Sequence, residues 1–394
     1  MSKKNLTLFF TIKEFEKVHL YKDVGLTPYY LGKEYNLDIK LVYSNRERNN
    51  IPKKFRNVSL IELPYRKVCN MIQKFDKYKI FENLNFYKYL IKNAKKIDYL
   101  MLFHLNYDKL FFILLYKLLN KKGKVYLKSD INFQRANKLT KYNFLKKPKY
   151  NLILRRIDLF SCETKKVFKL FEENKICGIN LKSKLLYMPN GFDEEYLLEN
   201  TIKVKLFEEK ENIMITVGRI GTKEKNNEML LTALDKIDLK NWRIYIIGPY
   251  TDEFKRKYDE FIENNQDKKG NIILSGDIED KNLLYHYYNR AKTFILTSRH
   301  ESFGIVLSEA LRFGDYIITT DVGAARDITD NDKIGKVIDI DNSEQLREEI
   351  LKVISEEIDL KDKYKKSLEL SEKQFLWNNI VKNEMLKEFF TNER

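Results

Sequence analysis

Short runs rich in β-branched and aromatic residues recur along this chain, and longer amphipathic stretches lie between them. In the first half the runs are NLTLFFT, DIKLVY, VSLIELP, DYLMLFH, GKVYLK, IDLFSC and KLLYMP. In the second half they are NIMITVG, WRIYIIG, NIILSG, TFILTS, DYIITT and KVIDI. The intervening stretches include NFYKYLIKNAKK, DEFKRKYDEFIENN, DKNLLYHYYNRA, GIVLSEALRF and SEQLREEILKVI. Strand and helix periods that alternate in this way predict βαβ units, hence α/β domains whose parallel, doubly wound sheets carry helices on both faces. At 394 residues the chain exceeds one ordinary core, so two such domains are expected. MPNGFDEEY holds the turn signal Pro-Asn-Gly and places the boundary near residue 190. The expected domains are 1–190 and 191–373. The last segment, SEKQFLWNNIVKNEMLKEFF, reads as one long amphipathic helix with no strand after it.

The most apolar region, YLMLFHLNYDKLFFILLYKLL, is interrupted by Asn106, Asp108, Lys109 and Lys117, so it reads as strand, turn and helix rather than as a membrane span. The N-terminal apolar run is too short for a secretory signal. Cys69, Cys162 and Cys177 form no CxxC pair, which argues against a disulfide framework and a zinc site and fits a reducing cytoplasm. The net charge of +16 is unevenly placed: residues 1–190 carry +25 and residues 191–394 carry −9. The densest basic segment is KLTKYNFLKKPKYNLILRR. It is either a lysine-rich solvated surface or a face toward an anionic membrane or an acidic acceptor. No RNA- or DNA-binding signature accompanies it, so nucleic acid is not an expected partner.

Ligands of open α/β sheets bind beyond the carboxyl ends of the strands, and two sheets meeting there would enclose a cleft. In IMITVGRIGTKEKNNEMLLTAL a strand ends at Gly218, Arg219 follows, and Lys225 precedes a helix. An arginine fork and a lysine beside helix-start amides suit a diphosphate; surface cations in a loop are the plainer reading. In RHESFGIVLSEALRFG a strand ends at Ser298, and Phe303, Gly304 and Ile305 offer amides at a helix start. Ile305 and Glu309 share one helical face, while Val306, Ala310 and Phe313 are expected on the face toward the sheet. Glu309 then stands beside the anion with reach to a ribose diol, and Glu301 lies in the loop nearer the cleft. His104 ends the strand run DYLMLFH, either as a core histidine with its hydrogen bonds met or as a group facing an acceptor.

Together these residues resemble the retaining group-one glycosyltransferases of GT-B fold (glycosyltransferase family four), which include glycogen synthase-like and capsule-type enzymes. The resemblance rests on GRIGTKEKN, on LSGDIEDKNLLYHYYNRAKTFILTSRHESFGIVLSEAL and on GDYIITTDVGAARDIT. It implies two Rossmann-like domains facing across a cleft, an acceptor-binding domain at 1–190 and a nucleotide-sugar-binding domain at 191–373, with a tail of about 374–394 crossing back to the first. It further implies that Arg219 and Lys225 hold the diphosphate of a nucleotide-sugar donor and that Glu309 binds its ribose. By the same resemblance Glu301 lies by the transferred sugar, the amides of Phe303, Gly304 and Ile305 contact sugar and phosphate, and Gly276, Asp277 and Ile278 border the base. Glu301 and His104 are the candidate catalytic residues. The double-glycine loop common near the N-terminus of relatives is reduced here to Gly25, ahead of an aromatic helix.

The expected reaction is a hexosyl transfer without metal or other cofactor, from a nucleotide sugar, UDP-sugar favoured, to a glycan, glycolipid or glycoprotein acceptor in surface-polysaccharide synthesis. Cations and peptide amides stabilise the departing diphosphate. The expected location is cytoplasmic, with a peripheral contact at the inner membrane face. Competing readings are a non-catalytic partner subunit and a sugar-nucleotide 2-epimerase of the same architecture. A metal-dependent DxD motif at Asp339-Ile340-Asp341 is the remaining competitor; these aspartates sit just before SEQLREEILKV, where such residues cap helices.

Overall fold

A computed structural model describes residues 3–11, 15–45, 50–65, 76, 79–142 and 147–392. The chain divides into one unit of Met1–Pro189 with Trp377–Arg394, and a second of Asn190–Leu376.

The first unit carries strands β1 (Asn5–Phe10), β2 (Asp38–Asn45), β3 (Lys54–Phe55), β4 (Val58–Pro64), β5 (Tyr99–Phe103), β6 (Lys124–Ser129), β7 (Leu159–Cys162) and β8 (Leu185–Tyr187). They form one sheet in the order β3-β4-β2-β1-β5-β6-β7-β8. Every pairing is parallel except the short β3–β4 edge, which the sequence did not signal. β1 and β5 are buried along their whole lengths, as expected for strands covered on both faces. One face packs around Leu90, Phe112, Tyr116, Ile153 and Phe171. The other packs around Leu31, Tyr30, Met101 and Trp377.

The second unit carries β9 (Ile213–Val217), β10 (Arg243–Ile247), β11 (Ile272–Gly276), β12 (Thr293–Leu296), β13 (Tyr316–Thr320) and β14 (Gly335–Ile338). Their order is β11-β10-β9-β12-β13-β14, all parallel. Strand order reverses between β9 and β12 here and between β1 and β5 in the first sheet. These are topological switch points, where the connecting loops diverge and leave a crevice at the carboxyl edge.

The tail departs from the expected single helix. It splits into a π-helical turn Ser371–Phe375, a short helix Trp377–Ile380 and a helix Glu384–Thr391. Leu376 is extended and bridges Phe192. Asn383 opens the last helix by accepting from the amide of Met385. The breaks let Phe375 pack in the second unit and Trp377, Leu386 and Phe390 in the first, which one straight helix of this length does not allow. Trp377 stacks on Tyr30, with ring centroids 6.1 Å apart. The tail's carbonyls accept from Tyr35 (2.6 Å, Val381), Lys124 (2.7 Å, Phe389) and Tyr99 (2.8 Å, Phe390).

Trp377 is 1% exposed, so Trp377→Ala is expected to cost about 3–5 kcal/mol by loss of burial and a residual cavity. Urea unfolding followed by fluorescence and circular dichroism checks this; a loss below about 1 kcal/mol would show that the tail is not part of the first unit's core.

Candidate functional site

In the second unit, β9 ends at Val217 and the chain turns through Gly218 into Arg219, which is exposed. Gly248, after β10, lies so close that a Cβ there would stand 1.8 Å from the Gly218 carbonyl oxygen. Only glycine permits this approach, which fixes the path of the chain into the Arg219 loop. Lys225 folds back over that turn: its Cε lies 3.6 Å from where a Cβ on Gly218 would be. Its Nζ then reaches Oε1 of Glu301 at 2.5 Å, with both side chains largely buried. Ser298 Oγ donates to the same carboxylate oxygen at 2.8 Å. The structure thus joins the loops after β9 and β12, neighbouring strands on either side of the switch point.

Gly304 begins the helix Ile305–Arg312 in the left-handed conformation (φ 88°). The amides of Phe303, Gly304 and Ile305 find no acceptor among the described residues, so this helix start presents open donors. Ile305 and Glu309 are both half-buried on one face. Leu307, Ala310 and Leu311 are buried on the other. Val306, expected among the packed residues, is only half-buried, because Leu307 takes the inward position. Glu309 accepts from two phenols on the helix Lys281–Arg290, Tyr288 at 3.2 Å and Tyr285 at 3.5 Å. Burial and the Glu309 charge push both tyrosines well above their ordinary range, so they remain donors at any ordinary pH. Gly276 closes β11 in the left-handed region (φ 75°), with Asp277 exposed and Ile278 half-buried beyond it. These three border the same edge two strands from β9; among the described residues no hydrogen bond or ion pair joins them to Lys225 or Glu301.

Three further residues, Arg299, Asp341 and Gly323, build the frame. Arg299 donates through Nε to Asp341 Oδ1 at 2.7 Å and through an Nη to the Lys223 carbonyl at 2.9 Å, and its amide donates to Glu224. Asp341 also accepts from Asn226 at 2.9 Å. Asp341 therefore clamps the two loops together, and the helix Ser343–Ile354 is capped instead by Asn342. This corrects the expectation of capping aspartates at Asp339 and Asp341. Gly323 lies under the Glu301 loop: a Cβ there would meet the Phe303 carbonyl oxygen at 2.4 Å. The only sequence signal for Gly323 was the run DVGAARD.

In the first unit, Gly25 does not lie in a loop. It occupies the first turn of the helix Asp23–Glu34, where a Cβ would stand 2.2 Å from the Leu20 carbonyl oxygen, so its smallness serves packing. His104 follows β5 in the left-handed region (φ 62°) with its side chain 26% exposed, which removes the core-histidine reading. Its Nδ1 stands 3.8 Å from Asp130. Of the cysteines, Cys162 and Cys177 are buried and not joined in a disulfide, and Cys69 lies outside the described residues. The basic segment is likewise outside at 143–146; around that gap lie the helices Phe133–Thr140 and Lys147–Arg156. Among the described residues no helix is long and apolar enough to cross a membrane.

The architecture is that of the two-unit GT-B glycosyltransferases. It resembles that of Anabaena HepE crystallised with UDP, at TM-score 0.70 and 12% identity over 98% of this chain and 99% of that one. It also resembles a sucrose-phosphate synthase from Thermosynechococcus elongatus, at TM-score 0.69 and 14% identity over 98% and 99%. Residues 199–370, within the second unit, match the family model of the glycosyl transferases group 1. The capsular polysaccharide biosynthesis glycosyltransferase CapM of Staphylococcus aureus is 25% identical over 48% of each chain. A probable sucrose-phosphate synthase of Thermosipho melanesiensis is 26% identical over 53% of this chain and 50% of its own. The matches span about half the length of these relatives.

Gly323→Ala is expected to destabilise the second unit by about 1–3 kcal/mol, since it forces both a left-handed alanine and a clash with backbone. Hydrogen exchange resolved to residues 299–306 is the direct check: protection there should fall before that of β9 and β13, and uniform or absent change would sink the assignment.

Proposed function

We propose that the protein is a retaining, metal-independent hexosyltransferase that moves a sugar from a nucleotide donor, UDP-sugar favoured, to a glycan or lipid-linked acceptor in surface-polysaccharide synthesis. The observation that carries the reading is the meeting of Lys225 with Glu301 at the switch point, beside the open amides that start the helix bearing Glu309. A helix start with free N–H groups and an adjacent lysine suits a diphosphate. Arg219, exposed two residues past the end of β9, adds a second cation. Glu309, aligned by two phenol donors, retains acceptor capacity for a ribose diol. Glu301 carries the compensating negative charge next to the sugar position. In the transfer, the bond from the anomeric carbon to the diphosphate oxygen breaks as the acceptor oxygen bonds to that carbon. The acceptor proton passes to the departing phosphate, and Lys225 and the helix amides stabilise the charge that builds there. HepE was crystallised with UDP, and CapM is named for capsular polysaccharide, which supports the donor and the product class. The basic first unit supports contact with an anionic membrane face.

Calorimetric titration with UDP, GDP, ADP and CDP should give UDP the tightest binding, with no loss in EDTA. Lys225→Ala and Glu309→Ala are each expected to weaken it about 10–100-fold, the loss of a charge-assisted hydrogen bond. No measurable affinity for any of the four would end the donor reading. Tyr288→Phe should weaken UDP binding severalfold, while Glu301→Gln should leave it within about threefold and depress turnover of the UDP-sugar at least 100-fold. Parallel losses of affinity and turnover in Glu301→Gln would instead assign that residue to ground-state binding.

A further inference from the structure

The amino edge of the second sheet, opposite the strand ends that carry Lys225 and Glu301, holds an ion pair with no access to water. Lys210, shortly before β9, and Asp315, immediately before β13, have side chains 0% exposed, and Nζ stands 2.7 Å from Oδ1. Burial pushes the Asp315 carboxyl up to about 7 and draws the Lys210 ammonium down, each shift offset in part by the partner's charge. Asp315 Oδ2 has no hydrogen-bond partner among the described residues. Apolar side chains of similar volume are often as stable or more so in such a place. Stability alone therefore does not account for the pair, and its other bonds show what it holds.

Lys210 Nζ also donates to the carbonyl of Ala291 at 2.5 Å and to that of Tyr288 at 3.4 Å. These carbonyls end the helix Lys281–Arg290, where the last turn lacks donors of its own and a cation is favoured. Asp315 belongs to the end of the helix Ile305–Arg312. That helix stops at Gly314 in the left-handed region (φ 75°), and the Asp315 amide donates back to the Ala310 carbonyl at 3.0 Å. One charge pair thus joins the ends of the two helices that carry Tyr288 and Glu309. The Tyr288 ring lies stacked on Phe294, with centroids 5.8 Å apart, and on Phe313 at 5.9 Å. Its phenol meets Glu309 at 3.2 Å. A small slide of one helix along the other preserves such stacking but breaks the phenol–carboxylate bond, which is directional. An ion pair at the helix ends removes that freedom, the registry role that a buried charge pair can play.

We propose that Lys210 and Asp315 are positioning residues for Glu309: their ion pair locks the helices Lys281–Arg290 and Ile305–Arg312 in register and so holds the Tyr288 phenol on that carboxylate. The assignment rests on the reading of Glu309 as the ribose ligand and extends it to two residues at the far edge of the sheet.

Removing one charge strands the other in the interior, so the informative variant removes both, as Lys210→Met with Asp315→Leu. This double variant should keep a cooperative urea transition and bind UDP about tenfold more weakly in calorimetric titration. Tyr288→Phe should weaken UDP binding severalfold in the wild-type background but less than about 1.5-fold in the double variant, where the phenol is already displaced. Unchanged UDP affinity in the folded double variant, or an equal Tyr288→Phe penalty in both backgrounds, would overturn the proposal. Should the double variant not fold, Asp315→Asn keeps the shape and an acceptor oxygen without the charge. It is expected to weaken UDP binding about threefold with the same loss of additivity, and additive penalties would again overturn the proposal. A readout without nucleotide separates this idea from the donor reading. In NMR of protein labelled at the tyrosine rings, loss of the pair should move the Tyr288 signal in the direction that Glu309→Gln moves it. An unmoved signal overturns the register lock even where UDP binds. A moved signal in a protein that binds no UDP ends the donor reading and leaves the lock standing.

Discussion

In a parallel sheet the loops on either side of a strand-order reversal must part, so backbone groups and side chains at that point are left without a packed neighbour. Both sheets of this protein meet that constraint, between β1 and β5 and between β9 and β12. Both place charged residues there that are costly to bury elsewhere. In the second unit the solution is a short bridge, Lys225 to Glu301, spanning the reversal. In the first it is Lys128 with Glu163 and Asp23. Neither arrangement is needed to close the sheet. Each sets a largely buried ion pair where hydrophobic packing would be the simpler outcome.

The second-unit site also depends on places where side chains are absent. Gly248 lets one strand-end turn lie against another, Gly304 starts a helix in a conformation that other residues resist, and Gly323 supports the loop that carries Glu301. Asp341 and Arg299 then tie the two loops without entering the proposed donor position. Such a frame supplies preorganised donors that need no reorientation as charge develops. Glu309 is braced in the same way, its carboxylate oriented by two buried phenols, Tyr285 and Tyr288.

Much of this was legible in the sequence because parallel strands buried on both faces write themselves as uninterrupted apolar runs. Every strand run read from the sequence is a strand; only β3, two residues long and held by one neighbour, left no trace. The loops that carry Arg219, Lys225, Glu301 and Glu309 were also legible, since strand ends and helix starts fix their places. What was not legible depends on partners distant in sequence. Gly25 looks like a loop glycine until Leu20 is seen against it. The tail reads as one helix because its apolar period continues through Leu376, and only the bridge to Phe192 shows why it breaks. Asp341 reads as a cap because its neighbours, Asn226 and Arg299, lie 115 and 42 residues away.

The uneven charge of the chain takes on a different meaning once the strand ends are placed. A first half carrying +25 suggests an acidic partner, yet the groups gathered where that half's loops diverge are mostly carboxylates around one sequestered ammonium. Lysines on helices such as Lys147–Arg156 set a long-range field that draws anionic surfaces and is screened by salt within about 10 Å. Asp23 and Asp130 stand at the strand ends themselves, beside Lys128 and His104. The two influences are separable by range: the lysine field acts at a distance and weakens with salt, while the carboxylates act on whatever lies in direct contact with them. A net positive domain can therefore hold a locally acidic edge without contradiction.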